Sequence, residues 1–419
     1  MLSLLSFTKC SLPFFTLMLD HLLLSLCLVF PTDLGKVLSK DTTALHEIRI
    51  NPKTALAQEV FAEDAFNSVE YFPLQTTKQS LFGTIDQLEI TPEYFFILEK
   101  NHRQVNYNVN SAVLIFKRSG AFHTKIITVE CFSFAINRFS NEIVVIDYRT
   151  QSNLVYNYNG KLIRTDKRDF FSAALEYTSP STIMAYKNYI SDDINIKARS
   201  IEFGNLVLTD TLFKPLKAFL PFDTLKIFRQ EINAGTTRFF SRSGEKLYFH
   251  TPYFSEIYEI KDNQLYPQYK FILPLVNSLP QGFGNNQMFY KQRLAHIDKH
   301  PEQVYDITNF FESDDMLTFK LYSQKTRNSF LYSLKTGNLI DLQSVEPDNK
   351  LLSVPLSEDI LSSDGKSLIT FAKASSILDH ERKRKSERNP ANHSSAIGKI
   401  IETGSMEVNP ILIFLKPKT

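Results

Sequence analysis

The chain has 419 residues with 47 basic and 45 acidic side chains, so its formal net charge is only +2. A charge this close to balance excludes a partner held mainly by electrostatics, such as nucleic acid. Aromatic residues make up 13% of the chain, with 35 Phe and 18 Tyr, and this content indicates a large packed core. The sequence has no Trp, which slightly weakens a sugar-binding interpretation.

The first thirty residues differ from the rest of the chain. The stretches 12–19 and 22–30 are almost wholly apolar, but Asp20 and His21 interrupt them, and such a break is costly in a membrane-spanning helix. We therefore predict an export signal over 1–30, a linker over 31–60 and the main domain over 61–419.

Cys27 is the candidate lipid attachment site. It ends the sequence Leu-Ser-Leu-Cys at 24–27, which is similar to a lipoprotein box, and a signal segment without acylation is the alternative. Only Cys131 follows it, so no intrachain disulfide is expected in the mature domain.

A pattern of strands occurs twice in the first half of the chain. In each copy a β-rich strand ends in an acidic residue, a polar stretch follows, a second strand is closed by a Gly turn, and a third strand begins. The turn glycines, Gly120 and Gly160, are 40 residues apart. Such a repeat is typical of the blades of a β-propeller, in which each blade is one antiparallel meander.

Weaker copies follow, with turn markers at Asp210, Asn263 and Gly337. Gly and Asx residues suit tight hairpins because they adopt positive φ at low cost, and the wider spacing of these markers predicts insertions between blades. The sequence therefore predicts an all-β fold, a six-bladed β-propeller with inter-blade insertions. A β-sandwich is the competing architecture, although it gives no reason for a whole meander to repeat.

Two segments near the C-terminus are predicted to complete the fold. The basic run 379–388 has helical propensity, and we interpret it as a short solvent-exposed helix before the last strand rather than an anionic contact patch. The final strand, 409–416, is expected to pair with a strand from the start of the domain, because closing the ring removes both exposed sheet edges.

With these elements, the chain resembles a family of exported and lipid-anchored bacterial six-bladed β-propellers that is related in pattern to NHL-repeat propellers. The resemblance covers roughly residues 45–419 and rests on segments within 66–86, 116–122 and 409–416. It implies the fold and export to the periplasm or cell surface, but no common activity. The Gly-rich segment that often follows the first blade in this family is missing, and 125–132 continues without it.

Glu99 and Asp147 are the candidate ligand or channel residues, because they occupy the same place at the end of the first strand of each clear repeat. If that strand is innermost, the two acids would meet in the central channel and bind a polar ligand or a cation such as calcium. The favoured alternative is that each carboxylate caps the following turn. The sequence motifs assign no catalytic residue, no metal ligand and no cofactor.

The leading hypothesis is an exported, non-catalytic binding or scaffold propeller. Its expected partner is an unknown ligand or an outer-membrane or cell-surface protein, and the chain is expected to be a monomer that contacts the membrane only through a lipid anchor. The alternative is a hydrolase or lyase, of lactonase or glycan-active type, that uses a divalent cation in the central channel.

Overall fold

The described part of the chain begins with a short strand-rich segment. The structure is a computed structural model that describes residues 45–100, 110–129, 131–147, 150–168, 170–190, 204–223, 226–227, 229–236, 238–348, 351–386 and 395–419. The predicted signal segment and Cys27 lie outside these residues. The first elements are β1 (His46–Arg49), α1 (Pro52–Leu56), β2 (Val60–Phe61), α2 (Ala62–Ala65) and β3 (Phe66–Pro73).

Three separate antiparallel sheets of four strands follow in chain order. In each of them, every strand is hydrogen-bonded to the next one along the chain. They consist of β4 (Gln87–Ile90), β5 (Tyr94–Lys100), β6 (Asn110–Lys117) and β7 (Phe122–Val129); β8 (Cys131–Asn137), β9 (Glu142–Asp147), β10 (Ser152–Asn157) and β11 (Leu162–Lys167); and β12 (Ala174–Ser179), β13 (Thr182–Tyr186), β14 (Gly204–Asp210) and β15 (Pro215–Pro221).

The second half of the chain repeats this meander with longer connections. Short 3-10 helices lie at Arg229–Glu231, Gln287–Phe289 and Leu342–Ser344. The strands and helices are β16 (Phe240–Ser243), β17 (Lys246–Phe249), β18 (Glu256–Lys261), β19 (Gln264–Ile272), α3 (Arg293–Lys299), β20 (Asp306–Ser313), β21 (Met316–Tyr322), β22 (Ser329–Ser333), β23 (Leu339–Asp341), β24 (Val345–Glu346), β25 (Ser362–Ser363), β26 (Leu368–Ala372), α4 (Ala374–Ser386), α5 (Ser395–Thr403) and β27 (Ile411–Pro417).

Sheet pairing among the described residues gives four separate four-stranded blades, not six. The fourth separate sheet is β20 to β23. All remaining strands except β2 and β24 form one sheet in the order β1-β19-β18-β17-β16-β25-β26-β27-β3. Within that sheet, the meander of β16 to β19 is joined to the meander of β25, β26, β27 and β3 by a single parallel pair, Ser243 with Ser363. They merge because Gly244 and Gly365 turn with positive φ beside this pair, and a Cβ on Gly365 would lie only 3.3 Å from the Gly244 backbone.

The first strand of each meander lies on the inside of this propeller-like arrangement. Gln87 of β4 donates to the Phe134 carbonyl oxygen of β8 at 2.8 Å, and Ser363 of β25 donates to the Glu312 carbonyl oxygen of β20 at 3.2 Å. Arg242 of β16 crosses to β12. These contacts between the first strands of different meanders place those strands, the innermost ones, around a central channel.

Both faces of the strands are buried, as the continuous apolar run in β5 predicts. Phe95 and Ile97 pack on one face with side chains of β26 and β27, while Phe96 and Leu98 pack on the other face with β8 and β9. All four side chains have 0% exposure. Burying each one contributes about 1.5–3 kcal/mol relative to an exposed position, so the stacked sheets account for much of the core.

The last strand closes the arrangement on the N-terminal segment, which confirms the expected pairing. Strand β27 lies between β26 and β3, with Leu412 opposite Phe72 and Leu415 opposite Val69. Segment 46–60, which lies entirely within the predicted linker 31–60, contributes β1, α1 and the first residue of β2. Strand β1 pairs with β19, and β2 pairs with β24.

Two helices precede the closing strand, and the basic run is only partly exposed. Helix α4 contains residues 379–386 of that run. Arg382 keeps 72% of its side-chain exposure, as a solvent-exposed helix predicts, but Arg384 is buried and forms an ion pair with buried Glu381 at 2.6 Å.

Of the helices that the structure describes, none has the length and apolar character needed to span a bilayer.

Deleting residues 405–419 is expected to abolish cooperative folding, because it removes β27 and leaves the edges of β26 and β3 unpaired. Soluble yield and thermal unfolding followed by circular dichroism provide the measurement. Lys416→Ala is the control, since this exposed side chain of β27 should change stability by less than about 0.5 kcal/mol. A truncated chain that melts at the parent temperature would refute the closure.

Candidate functional site

A cavity of about 800 Å³ lies where the innermost strands begin. Its wall combines aromatic rings with charged side chains from several meanders. The charged residues are Asp86, Lys100, Arg229, Arg238, Glu358 and Asp359.

Asp86 and Lys100 are fixed by the hairpin between β4 and β5. The Asp86 N–H donates to the Leu98 carbonyl oxygen at 2.8 Å, and the Lys100 N–H donates to the Asp86 carboxylate at 2.7 Å. Burial lowers the pKa of Lys100, while the charge of Asp86 acts in the opposite direction. The hairpin thus places one carboxylate and one ammonium group at the cavity.

Glu358 and Asp359 precede β25 and are each paired with a lysine. The Lys373 ammonium lies 2.8 Å from Glu358, and the Lys320 ammonium lies 2.7 Å and 2.9 Å from the two carboxylate oxygens of Asp359. Both carboxylates are therefore neutralised by neighbouring cations.

The segment between β15 and β16 crosses the cavity and is held at two points. Buried Glu231 accepts hydrogen bonds from the Lys291 and Arg293 backbone N–H groups at 2.7 Å and 2.8 Å. The Gly235 N–H donates to Asp306 at 2.8 Å. A Cβ on Gly235 would lie 2.4 Å from the Tyr322 ring, so glycine is required for this approach. These contacts fix the positions of Arg229 and Arg238, the two arginines of this segment that line the cavity.

Arg238 reaches neutral acceptors across the channel. It donates to the Leu361 carbonyl oxygen at 2.9 Å and to the Asn309 side chain at 2.8 Å. Within the described residues no carboxylate lies within ion-pair distance of it. Burial lowers the pKa of Arg238, and the charge of Asp359 partly offsets this effect. A buried guanidinium without an ion pair is costly unless something else supplies negative charge.

The Arg229 side chain has fewer hydrogen bonds than that of Arg238. Its Nε is buried without a hydrogen-bond partner, and the described residues supply no acceptor for its side chain. Buried unpartnered donors are rare in folded proteins and often mark a place where water, an ion or a ligand binds.

Deeper in the channel, acids and arginines are paired with one another. Glu89 lies three residues beyond Asp86, which is about 10 Å along the strand. The Arg138 guanidinium lies 3.0 Å from Glu89, and the Arg242 guanidinium lies 2.8 Å from Glu176. Burial, followed by the charge of Glu176, raises the pKa of Glu89 to about 6, while both guanidinium groups oppose this rise.

The structure does not place Glu99 and Asp147 on the innermost strands. Glu99 is the next-to-last residue of β5 and Asp147 is the last residue of β9, and these are the second strands of their sheets. Glu99 accepts the Gly83 N–H at 2.7 Å, and Asp147 accepts the Thr150 N–H at 3.1 Å. Neither side chain lines the cavity. Their role as ligand-binding residues stays a prediction.

The sequence interpretation missed the cavity residues because it began each repeat one strand late. A usable signal was nevertheless present, since a basic residue lies at or near the end of several second strands. Lys100 ends β5, Lys187 follows β13 directly, Lys320 lies near the end of β21, and Lys373 follows β26 directly. Lys187 is fully buried and precedes Asn188 of the cavity wall.

Within the described ranges, no group of three or more His, Cys, Asp or Glu residues is arranged to hold a metal ion.

The fold and the cavity define a propeller-like β protein with a polar cavity at one end of its channel. The chain belongs to the family of the domain of unknown function DUF4934, whose profile matches residues 46–416. No functionally curated protein matches the sequence.

Solved structures resemble this fold at low sequence identity. A "putative exported protein" of Bacteroides fragilis has a TM-score of 0.62 at 15% identity over 89% of this chain and 100% of its own. A DUF4221 family member of Bacteroides vulgatus has a TM-score of 0.41 at 12% identity over 84% and 99%. The periplasmic gluconolactonase of Pseudomonas aeruginosa has a TM-score of 0.39 at 12% identity over 73% and 92%. The first likeness shows the fold alone, and the other two are too weak to carry an argument.

Substituting Glu99→Gln or Asp147→Asn is expected to leave calcium content unchanged, because each carboxylate already accepts a backbone N–H group. Elemental analysis after dialysis against calcium provides the measurement, with the parent chain as reference. Stoichiometric calcium in the parent that either variant loses would instead make these acids cation ligands.

Glu89→Gln is expected to change how stability depends on pH. Because the pKa of folded Glu89 is about 6, above its ordinary 4.5, the folded state binds this proton more tightly than the unfolded state. The contribution is therefore favourable at low pH, and it is lost as pH rises from about 4.5 to about 6, by up to about 2 kcal/mol.

Urea unfolding across this pH range would measure the effect as the difference between the parent and Glu89→Gln. Glu402→Gln, at an exposed position on α5, should follow the parent. Parallel curves for the parent and Glu89→Gln would contradict the assignment.

Proposed function

We propose that this chain is an exported, non-catalytic binding propeller that holds a small ligand in the cavity at the channel mouth. The observation that carries the proposal is the cavity itself, whose volume of about 800 Å³ lies within the usual range for small-molecule sites, roughly 300–1,000 Å³. Its charged groups come from separate meanders, and the contacts of Glu231 and Gly235 hold the crossing segment in place. Because these residues are already held in place, less conformational entropy is lost when a ligand binds, and this favours binding.

The proposal includes six blades related in pattern to NHL-repeat propellers. Its support is that the merged sheet consists of two meanders joined through a single residue pair, Ser243 with Ser363. Counting these two meanders as blades, with the four separate sheets, gives six. Their first strands are neighbours around one channel, which is the arrangement that a closed ring requires.

Export is proposed from the apolar segment 1–30 and from the printed description of the Bacteroides fragilis protein. We propose that the mature chain is a monomer in the periplasm or at the cell surface, anchored by acylation of Cys27. In that position, a ligand delivered to or taken from an outer-membrane or cell-surface partner would reach the cavity without crossing the inner membrane.

Ala234→Trp tests the binding function, because Ala234 lines the cavity and an indole there would fill part of it. We expect small molecules that raise the melting temperature of the parent chain to have no such effect on this variant. The control is Leu275→Trp, at a side chain with 93% exposure, which should respond as the parent does.

Equal responses of the parent and Ala234→Trp would refute the cavity as the binding site. Turnover of a lactone or glycan substrate that Asp147→Asn removes would establish the hydrolase or lyase alternative and overturn a non-catalytic function.

A further inference from the structure

We propose that the ligand of this cavity carries an oxyanion, such as a carboxylate, sulfonate or phosphate group, which Arg229 and Arg238 bind while the aromatic wall packs against its apolar part. This inference rests on the proposed binding function and specifies the ligand class.

The first support is the charge balance at this end of the channel. The cavity wall itself has three cations, Lys100, Arg229 and Arg238, and three carboxylates, Asp86, Glu358 and Asp359. Two further lysines, Lys320 and Lys373, are ion-paired with Asp359 and Glu358. Because these lysines neutralise two of the three wall carboxylates, the positive charges of the wall are in excess, and a partly enclosed cleft attracts an anion more strongly than the same charges would on an open surface.

The second support is the way in which these charges are paired. Lys320 and Lys373 are bound to Asp359 and Glu358, and Asp306 accepts the Gly235 N–H. Within the described residues, Arg238 bonds only neutral acceptors and the Arg229 side chain has no hydrogen-bond acceptor. The Nε atoms of Arg138 and Arg242 are also buried without a partner, so the feature that distinguishes Arg229 and Arg238 is the absence of an ion pair among the described residues. The donors left for a ligand are therefore guanidinium groups, whose planar N–H pattern matches an oxyanion.

The third support is a contrast within the same channel. Where Glu89, Arg138, Glu176 and Arg242 meet, each arginine has a carboxylate at 2.8–3.0 Å. If Arg229 and Arg238 had only a structural role, the same pairing would be expected at the cavity. The missing carboxylates mark the place that an anionic ligand would occupy.

The apolar part of the ligand is inferred from the rest of the wall. Phe171, Phe239, Tyr322 and Phe371 line the cavity together with the arginines. Aromatic rings favour flat or apolar groups through area burial and offset stacking. A purely inorganic anion would leave these rings in contact with water.

Two fluorescent probes that differ only by one sulfonate group test the inference on the full chain. 8-Anilinonaphthalene-1-sulfonate carries a sulfonate, and N-phenyl-1-naphthylamine has the same aromatic body without it. We expect the sulfonate to bind at one saturable site at least about tenfold more tightly than the neutral probe, since a charge-assisted hydrogen bond contributes at least that factor.

Arg229→Gln is expected to weaken sulfonate binding by at least about tenfold and to change binding of the neutral probe by less than threefold. Arg238→Gln should act in the same direction, and Arg382→Gln on the exposed face of α4 is the charge-matched control. Circular dichroism and melting temperature identify any variant that does not fold, and Arg229 is the safer choice because its side chain makes no hydrogen bond to any residue that the structure describes.

The outcomes separate this inference from the binding function. If both probes bind equally and Ala234→Trp removes both, the cavity binds small molecules but the anion inference is wrong. If the sulfonate does not bind, or if Arg229→Gln leaves its affinity unchanged, the inference also fails. If Ala234→Trp affects neither probe, the binding function fails as well.

Discussion

The hydrogen-bonded pairing of β27 with β3 is the constraint on which the rest of the structure depends. It joins residues more than 300 positions apart in sequence, such as Phe72 and Leu412, and it covers the edge that the last meander would otherwise expose. Before reaching β3, the N-terminal segment has already paired through β1 with β19 and through β2 with β24. The N-terminal segment therefore connects β19, β24 and β27, and these contacts hold the meanders of the second half of the chain in position relative to one another.

A closed frame also explains how charged side chains can be kept inside the channel. Burying an ion costs several kcal/mol unless partners are held in place. Here the partners come from different sheets, as Arg242 and Glu176 do, so their geometry is maintained only while the sheets keep their positions. The stacked apolar faces supply that rigidity, because side chains such as Phe95 and Phe96 pack into opposite neighbouring clusters.

The sequence predicted the strands better than their order within a blade. Gly160, Asn263 and Gly337 have the positive φ expected of turn markers, whereas after Asp210 the positive φ falls on Phe213 and the Asp210 carboxylate accepts the Leu212 and Lys214 N–H groups instead. The innermost strands escaped detection because they are short or lack a turn signal; β25 has only two residues. Without those strands, neither the cavity nor its arginines could be found, since their proximity arises only when distant meanders stack.

Arginines and acidic residues lie at both ends of the channel, but they are paired differently at the two ends. At the deeper end, arginines and glutamates of neighbouring meanders form ion pairs, so the charges mainly fix how the meanders fit together. At the cavity, Glu358 and Asp359 precede an innermost strand and are bound by lysines. Among the residues that the structure describes, Arg229 and Arg238 therefore have no carboxylate partner. A segment anchored by Glu231 and Gly235 can hold these guanidiniums in place at little further entropic cost. The local pairing pattern therefore makes one end of the channel structural and leaves the other end available to a ligand.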